Sequence, residues 1–144
     1  MQQDVVRSHE GKRFHLGDDD VFTIKREGGE RSLTHLVVQP GSAAACHTHP
    51  HYEETFFILE GELQFTLRKK TFVARRGDYI VAAPGVRHGY ANRSGRPVEM
   101  LFEFAPGGME ALFYEFRTDE GRPFDGAGYL EKALKAHGTV YELD

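Results

Sequence analysis

The stretch that decides the fold runs from Gly41 to Gly61 and reads GSAAACHTHPHYEETFFILEG. Eight consecutive positions within it hold five side chains of metal-binding type: His47, His49, His51, Glu53 and Glu54. Imidazole nitrogens and carboxylate oxygens are ligands that divalent first-row metals prefer. Because strand side chains alternate between two faces, His47 and His49 point to the same side of a strand. The stretch therefore predicts a metal centre built on β-strands.

The carboxylate ligand must lie on a second strand, because Pro50 cannot donate a ladder hydrogen bond and interrupts the first strand. Glu54 is five residues beyond His49, so in one unbroken strand it would point to the opposite face. A bend after Pro50 returns its carboxylate to the same interior. Glu53 is the rival ligand, and alternation alone does not choose between the two, since both faces of the following strand are apolar.

A second segment extends the pattern downstream, where Gly77 is followed by Gly85, His88 and Asn92. The first segment is spaced as Gly-x5-His-x-His-x4-Glu-x6-Gly, and together the two segments closely resemble the paired motifs of the cupin family. The resemblance implies one metal ion inside a small β-barrel, held by four ligands: His47, His49, Glu54 and His88. Within the resemblance, the distance to Gly61 favours Glu54 over Glu53.

Composition excludes several classes of protein. A chain of 144 residues is long enough for one domain with a real core. The net charge of −4 offers no basic surface to nucleic acid or to an anionic membrane, and the single cysteine excludes an intramolecular disulfide framework. The N-terminal residues lack the apolar region of a signal peptide, and no stretch approaches membrane-spanning length. We therefore expect a single cytoplasmic domain covering residues 1–144.

Short apolar segments between turn residues predict strands at 21–26, 33–39, 55–60, 62–67, 71–74, 79–82, 87–91 and 98–104. Such dense turns indicate an antiparallel barrel or sandwich, and the family resemblance implies an all-β fold, the double-stranded β-helix or jelly-roll barrel, over about 20–104. Beyond Pro106 the apolar spacing predicts two amphipathic helices in an extension over about 106–138. We expect these helices to pack on the barrel or on a partner subunit.

The ligand set indicates the chemistry. Three imidazoles and one carboxylate on an octahedral metal leave two open positions, which suit a metal that holds substrate and dioxygen together. Fe(II) is the metal we favour, with Mn(II), Ni(II) or Zn(II) as alternatives. The tail from Ala105 to Phe116 resembles that of single-domain cupins described as quercetin 2,3-dioxygenase-like, which implies a dioxygenase acting on a small enolic or phenolic, flavonoid-like compound.

Two other functions stay open. One is a metal-assisted isomerase, lyase or polyketide-type cyclase, and the other is a non-catalytic metal-dependent protein that binds a small molecule. For an enzyme, Glu54 is a candidate to accept a substrate proton. We predict that His51 and Tyr90 act on the substrate or orient the ligands, since Tyr90 shares a strand face with His88. Cys46 has the opposite parity to His47, and we expect a small buried side chain that points away from the metal.

We also expect a homodimer. Open sheet edges need covering, and the two predicted helices each carry an apolar stripe that a partner subunit could bury. The homodimer is an arrangement common among cupins, so the resemblance implies it as well.

Overall fold

Two antiparallel sheets form the molecule in the computed structural model, which describes residues 4–17 and 19–142. The strands are β1 (Lys12–Leu16), β2 (Asp20–Arg26), β3 (Ser32–Val38), β4 (Ala43–Thr48), β5 (Glu53–Glu60), β6 (Glu62–Leu67), β7 (Lys70–Arg75), β8 (Tyr79–Ala82), β9 (His88–Ala91), β10 (Val98–Ala105) and β11 (Val140–Tyr141). The six-stranded sheet has the order β1-β2-β3-β10-β5-β8, and the five-stranded sheet has the order β11-β4-β9-β6-β7. This is the mostly β jelly-roll barrel that the sequence predicts.

The eight strands predicted from alternation are all present, with ends no more than two residues from the predicted ones. Strands β3 and β10 show the physical reason, because every second residue along both is buried in the barrel. The sequence does not predict β1 or β11. Strand β1 buries only Phe14 and β11 has two residues, so neither shows a readable alternation, and both form by pairing with β2 and β4.

Aromatic side chains from both sheets fill the barrel. The ring of Phe56 on β5 lies 4.9 Å from that of Phe65 on β6, measured between centroids, and 6.5 Å from that of Phe102 on β10. Phe14 and Phe22 stack on each other at 5.3 Å on the side of the barrel that the first helix covers. Buried aromatic pairs of this kind contribute strongly to core stability, because each ring removes a large apolar area from water.

Two helices follow the barrel, α1 (Glu110–Glu115) and α2 (Gly126–His137). Both pack against the barrel of their own chain, through Leu112 and Phe113 of α1 and through Tyr129 and Ala133 of α2. These residues of the apolar stripes are therefore buried within the chain, whereas Leu134 of α2 is exposed. The apolar spacing predicts a start of the second helix at Leu130, but the helix begins at Gly126. The reason is that the side chain of Asp125 accepts a hydrogen bond from the Gly128 amide at 2.9 Å and caps the first turn.

No helix within the described residues is long and apolar enough to cross a membrane. The cytoplasmic location and the assignment of residues 1–144 to a single domain stay predictions.

One glycine allows two strands to approach closely at the position where the predicted ligands meet. A Cβ atom on Gly89 would lie 2.8 Å from the carbonyl oxygen of Ala44 and 3.0 Å from the Cα atom of Cys46. Only glycine lets β9 pass this close to β4 without moving backbone atoms. The close approach puts His88 directly opposite His47 in the pairing of the two strands.

We predict that Leu63→Ala lowers the free energy of unfolding by about 2–5 kcal/mol, because truncation removes buried methyl groups and leaves a cavity. Leu63 on β6 is fully buried, whereas Leu134 on α2 is 55% exposed. The matched variant Leu134→Ala should change the free energy of unfolding by less than about 0.5 kcal/mol. Chemical denaturation of both variants measures the difference, and equal losses would contradict the packing described above.

Candidate metal centre

Four buried side chains converge at one end of the barrel interior: His47, His49, Glu54 and His88. One nitrogen or oxygen atom from each lies within 4.8 Å of the corresponding atoms of the other three. A set of this size and composition could hold a metal ion. The structure thus brings together the four residues that the sequence predicts as ligands.

The strand pairings explain why the four meet. His47 on β4 is opposite His88 on β9, and the turn before β9 is tied to the first motif by a 2.9 Å hydrogen bond from the Gly85 amide to the His49 carbonyl. Strand β4 ends at Thr48, and β5 begins at Glu53 after the bend at Pro50. On β5 the alternation turns Glu54 into the barrel and leaves Glu53 exposed, so Glu54 is the carboxylate that joins the cluster.

Each imidazole is oriented by an acceptor outside the cluster. The Nδ1 atom of His47 lies 2.6 Å from the Ala45 carbonyl oxygen, and that of His88 lies 2.9 Å from the Val86 carbonyl oxygen. For His49 the partner is the Thr139 hydroxyl oxygen, at 2.9 Å. A carbonyl oxygen can only accept, so Nδ1 of His47 and His88 carries a hydrogen and Nε2 is left for the cluster.

The same reasoning applies to His49. The Thr139 hydroxyl donates to the sulfur of Met109 at 3.7 Å, so its oxygen is free to accept from the His49 Nδ1. Metal-binding histidines in proteins are held by such partners on the second ring nitrogen. The donor set and its outer hydrogen bonds therefore fit a divalent metal ion.

The cluster is built around an ionised carboxylate. Glu54 Oε1 lies 3.1 Å from His49 Nε2 and 2.9 Å from His88 Nε2. Burial acts to raise the pKa of Glu54, but the hydrogen bonds from His49 and His88 outweigh burial and lower that pKa to about 2. A buried carboxylate that stays ionised attracts positive charge, which is the environment that a divalent cation requires.

The pKa values of two of the imidazoles shift in opposite directions. Burial, with the charges of His88 and His49, lowers the pKa of His47 to about 3, so this ring is neutral at physiological pH. For His88, burial acts to lower the pKa, but the hydrogen bond and the charge of Glu54 leave it raised. The neutral form is the one that binds metals, and a cation beside Glu54 would take the place of the proton that the carboxylate stabilises on His88.

A cavity of about 500 Å³ opens from the cluster into the barrel. Most of its lining is apolar: Leu16, Phe22, Leu36, Phe56, Met100, Phe102, Phe113, Phe124 and Leu130. His47, His49 and Glu54 line it as well, together with five other polar side chains: Asp20, Ser42, Tyr90, Tyr129 and Tyr141. Among the described residues no lysine or arginine lines it. An apolar site with few convergent polar groups is typical of small-molecule binding.

The other two predicted catalytic residues, Tyr90 and His51, differ in their position relative to the cavity. Tyr90 lines the cavity beside the cluster. His51 is exposed and lies outside the cavity lining, near Gly138. Its catalytic role stays a prediction. Cys46 is half-buried, less than expected from the sequence.

Sequence reasoning missed three residues of the site: Tyr129, Thr139 and Tyr141. Tyr141 on β11 is opposite His47 on β4, and its ring stacks on that imidazole with centroids 4.5 Å apart and planes 24° apart. Tyr129 precedes the predicted start of the second helix by one residue, so its position on the inner face of α2 could not be read from the pattern. The signal that the sequence offered was the presence of two tyrosines, Tyr129 and Tyr141, in the C-terminal segment.

Comparison with known proteins agrees with the geometry. The family model described as Cupin domain (Cupin_2) matches residues 34–111, which is more than half of the chain. An uncharacterised protein of Methanocaldococcus jannaschii is 33% identical over 75 residues, 52% of this chain and 60% of that protein. Polyketide synthase CurC of Streptomyces cyaneus is 29% identical over 70 residues, 49% of this chain and 46% of that protein. The match spans less than two thirds of the length of either relative.

Solved structures show the same fold. KdgF from Halomonas superposes with a TM-score of 0.70 at 15% identity, covering 76% of this chain and 98% of that one. The polyketide cyclase RemF from Streptomyces resistomycificus superposes with a TM-score of 0.63 at 19% identity, covering 72% of this chain and 79% of that one. At these identities the likeness is one of fold alone.

We predict that Thr139→Val weakens metal binding by about tenfold to a hundredfold, because His49 loses the acceptor that fixes its Nε2 toward the cluster. Competition with a chromogenic chelator measures the affinity. The matched control is Thr71→Val, on an exposed position of β7. Unchanged metal affinity in Thr139→Val would show that the Thr139 hydroxyl does not orient the ligand.

Proposed function

Because the chain belongs to the cupin domain family, we propose that its buried cluster binds one divalent metal ion and that the protein is a metal-dependent enzyme. The substrate we propose is a neutral enolic or phenolic compound with aromatic rings. One observation carries this proposal: the cluster opens into an aromatic-lined cavity that, within the described residues, has no cationic side chain.

Charge balance supports a neutral substrate. Two carboxylates line the cavity, Asp20 and Glu54, and among the described residues no lysine or arginine does. The lining therefore offers no lysine or arginine to pair with a phosphate or a carboxylate of the substrate. A buried, unpaired charge is strongly unfavourable, so we expect the site to reject anionic analogues.

A bound metal ion, two side chains and the apolar walls of the cavity would act on such a substrate. A bound divalent metal would supply Lewis acidity toward an enol or phenol oxygen. Glu54, which is ionised, is placed to accept the proton of that hydroxyl. Burial, together with the charges of Asp20 and Glu54, raises the pKa of Tyr90 well above its usual range, so Tyr90 stays protonated and can donate a hydrogen bond to the substrate. The apolar walls of the cavity would hold the rings and exclude water.

The reaction that we propose first is dioxygenation, with Fe(II) as the metal. The cavity is lined mainly by apolar side chains, which suits both an aromatic substrate and dioxygen, and the tail resembles quercetin 2,3-dioxygenase-like cupins. Three imidazoles and one carboxylate are also ligands that Fe(II) accepts.

The second candidate is a metal-assisted cyclisation of a polyketide-type substrate. The observation that favours it is the 29% identity to polyketide synthase CurC over 70 residues. Such a reaction would use the same aromatic cavity with its several hydroxyl groups, and it would not need dioxygen. The fold by itself does not decide between the two, because one scaffold of this kind can host different reactions.

We predict oxygen uptake by the iron-loaded protein with neutral flavonols or catechols, at a rate that anionic analogues do not support. The protein is purified without oxygen, its metal content is measured by elemental analysis, and uptake is followed with an oxygen electrode. Tyr90→Phe should lower turnover by about tenfold or more at unchanged iron content, because it removes one hydrogen-bond donor to the substrate. The matched control is Tyr114→Phe, which lies outside the cavity lining.

Each alternative gives a different result. Tight zinc, no oxygen uptake and conversion of a neutral polyketide would select the cyclase. Tight metal with binding but no conversion of any compound would select a non-catalytic binding protein. His51→Gln, assayed in parallel, tests the remaining catalytic residue, and wild-type turnover would remove His51 from the mechanism.

We also propose that the protein is a homodimer in which a second copy covers the outer face of β5 and β8. Phe57, Tyr79 and Val81 project from this face with exposures of 40%, 62% and 43%. Strand β8 is also an edge of its sheet, so its outer backbone groups are open to pairing. Two copies related by a twofold axis can pair this edge antiparallel, which would satisfy the backbone and bury the apolar side chains in one contact.

Light scattering at micromolar concentration should return about twice the chain mass of 16.3 kDa. Tyr79→Glu should shift the protein to monomers, because it places a charge within the proposed contact. Leu134→Glu is the matched control, since Leu134 is also more than half exposed but lies on α2. A wild-type monomer at this concentration would contradict the dimer.

A further inference from the structure

A pair of phenols lies beside the candidate metal centre and has no role in holding it. Tyr129 on α2 and Tyr141 on β11 both line the cavity, and their hydroxyl oxygens are 2.7 Å apart, within hydrogen-bond distance. The Tyr141 ring stacks on His47, which fixes the pair next to the cluster. The Tyr129 ring is held between Phe116 and Phe124, each with its ring centroid 5.6 Å away.

Within the described residues, one hydroxyl hydrogen of this pair has no acceptor. Two hydroxyl groups carry two hydrogens, and the bond between them uses one. Within the described residues, neither Tyr129 nor Tyr141 has another hydrogen-bond partner for its hydroxyl. One donor hydrogen therefore remains for something in the cavity. If the pair served only to pack α2 on the barrel, two phenylalanines would do so without the cost of desolvating two hydroxyls.

We infer that the Tyr129–Tyr141 pair is a carbonyl-binding subsite, which receives a keto oxygen of the substrate while the enol or phenol oxygen lies at the cluster. The inference rests on the proposed function and narrows it to neutral hydroxy-ketones, in which a hydroxyl and a carbonyl are carried by one ring system. A ketone oxygen only accepts hydrogen bonds, so it matches the single free donor of the pair.

Recognition of this kind is selective. A site built to hydrogen bond one oxygen discriminates against an analogue that lacks it, because the buried donor is then left without a partner. Within the described part of the cavity wall, Tyr90 and Ser42 are the other hydroxyl-bearing side chains, and Ser42 already donates to Asp20 at 2.6 Å. The phenol pair would therefore set the distance between the two oxygens that the substrate must carry.

Two probes that differ only in the carbonyl test the subsite: 5-hydroxy-1-tetralone and 5,6,7,8-tetrahydro-1-naphthol. Their dissociation constants are measured by calorimetry on the full chain loaded with zinc, which has no redox chemistry. The variants are Tyr129→Phe, Tyr141→Phe and the double variant that carries both substitutions, all of which keep the rings, with Tyr114→Phe as the matched control. Zinc stoichiometry is measured on every variant.

We expect wild type and the control to bind the tetralone about tenfold more tightly than the naphthol, as one additional hydrogen bond allows. Removal of both hydroxyls should abolish this preference, whereas each single deletion leaves one hydroxyl with a hydrogen to donate. Binding of the naphthol and zinc content should stay unchanged in every variant. Equal affinity of wild type for the two probes, or a preference that survives both deletions, would overturn the subsite but not the proposed function. Failure of wild type to bind either probe would overturn the proposed substrate class and the subsite with it.

Discussion

The interaction on which the rest of this structure depends is the buried contact of the Glu54 carboxylate with His49 and His88 inside a barrel of aromatic side chains. Burying an ionised carboxylate costs several kcal/mol unless opposite charge and hydrogen bonds compensate for it. The chain arranges that compensation with two imidazoles, His49 and His88, from two other segments. Each of the three imidazoles of the cluster has a hydrogen-bond partner on its Nδ1 atom, which constrains β4, β9 and the segment that precedes β11.

The sequence predicted most of this arrangement, for physical reasons that can be named. Strands such as β3 and β10 are buried on one face, so the sequence shows a regular alternation of inward-facing and outward-facing residues along them. His47 and His49 lie two apart on one strand, and Pro50 marks the bend after which Glu54 returns to the interior. The choice of Glu54 over Glu53 needed the spacing to Gly61, and the structure shows its basis, since Glu53 is exposed on β5.

What the sequence did not predict depends on long-range contacts. Thr139 lies 90 residues from His49, and nothing in the local pattern of either residue indicates that they meet. The spacing of α2 showed that the helix is amphipathic, but not that its inner face would place Tyr129 in the cavity beside Tyr141. An amphipathic pattern indicates that a surface is covered and does not say by which part of the fold. The C-terminal segment thus supplies parts of the site as well as packing.

The balance of charge in the cavity connects the fold to the chemistry. Asp20 and Glu54 are the carboxylates of the lining, and no lysine or arginine among the described residues lines it. The proposal of a neutral, ring-containing substrate rests on that balance, whether the protein would oxygenate, cyclise or only bind it. All three possibilities require the metal.

The most direct test of the account is anomalous diffraction at the absorption edge of the bound metal, on crystals of the protein as purified. The account predicts one ion per chain, with the Nε2 atoms of His47, His49 and His88 and a carboxylate oxygen of Glu54 at about 2.0–2.3 Å. An ion bound to Glu53 or to surface histidines would contradict it. So would the absence of any anomalous peak in the cluster after incubation with Fe(II), Mn(II), Ni(II) or Zn(II).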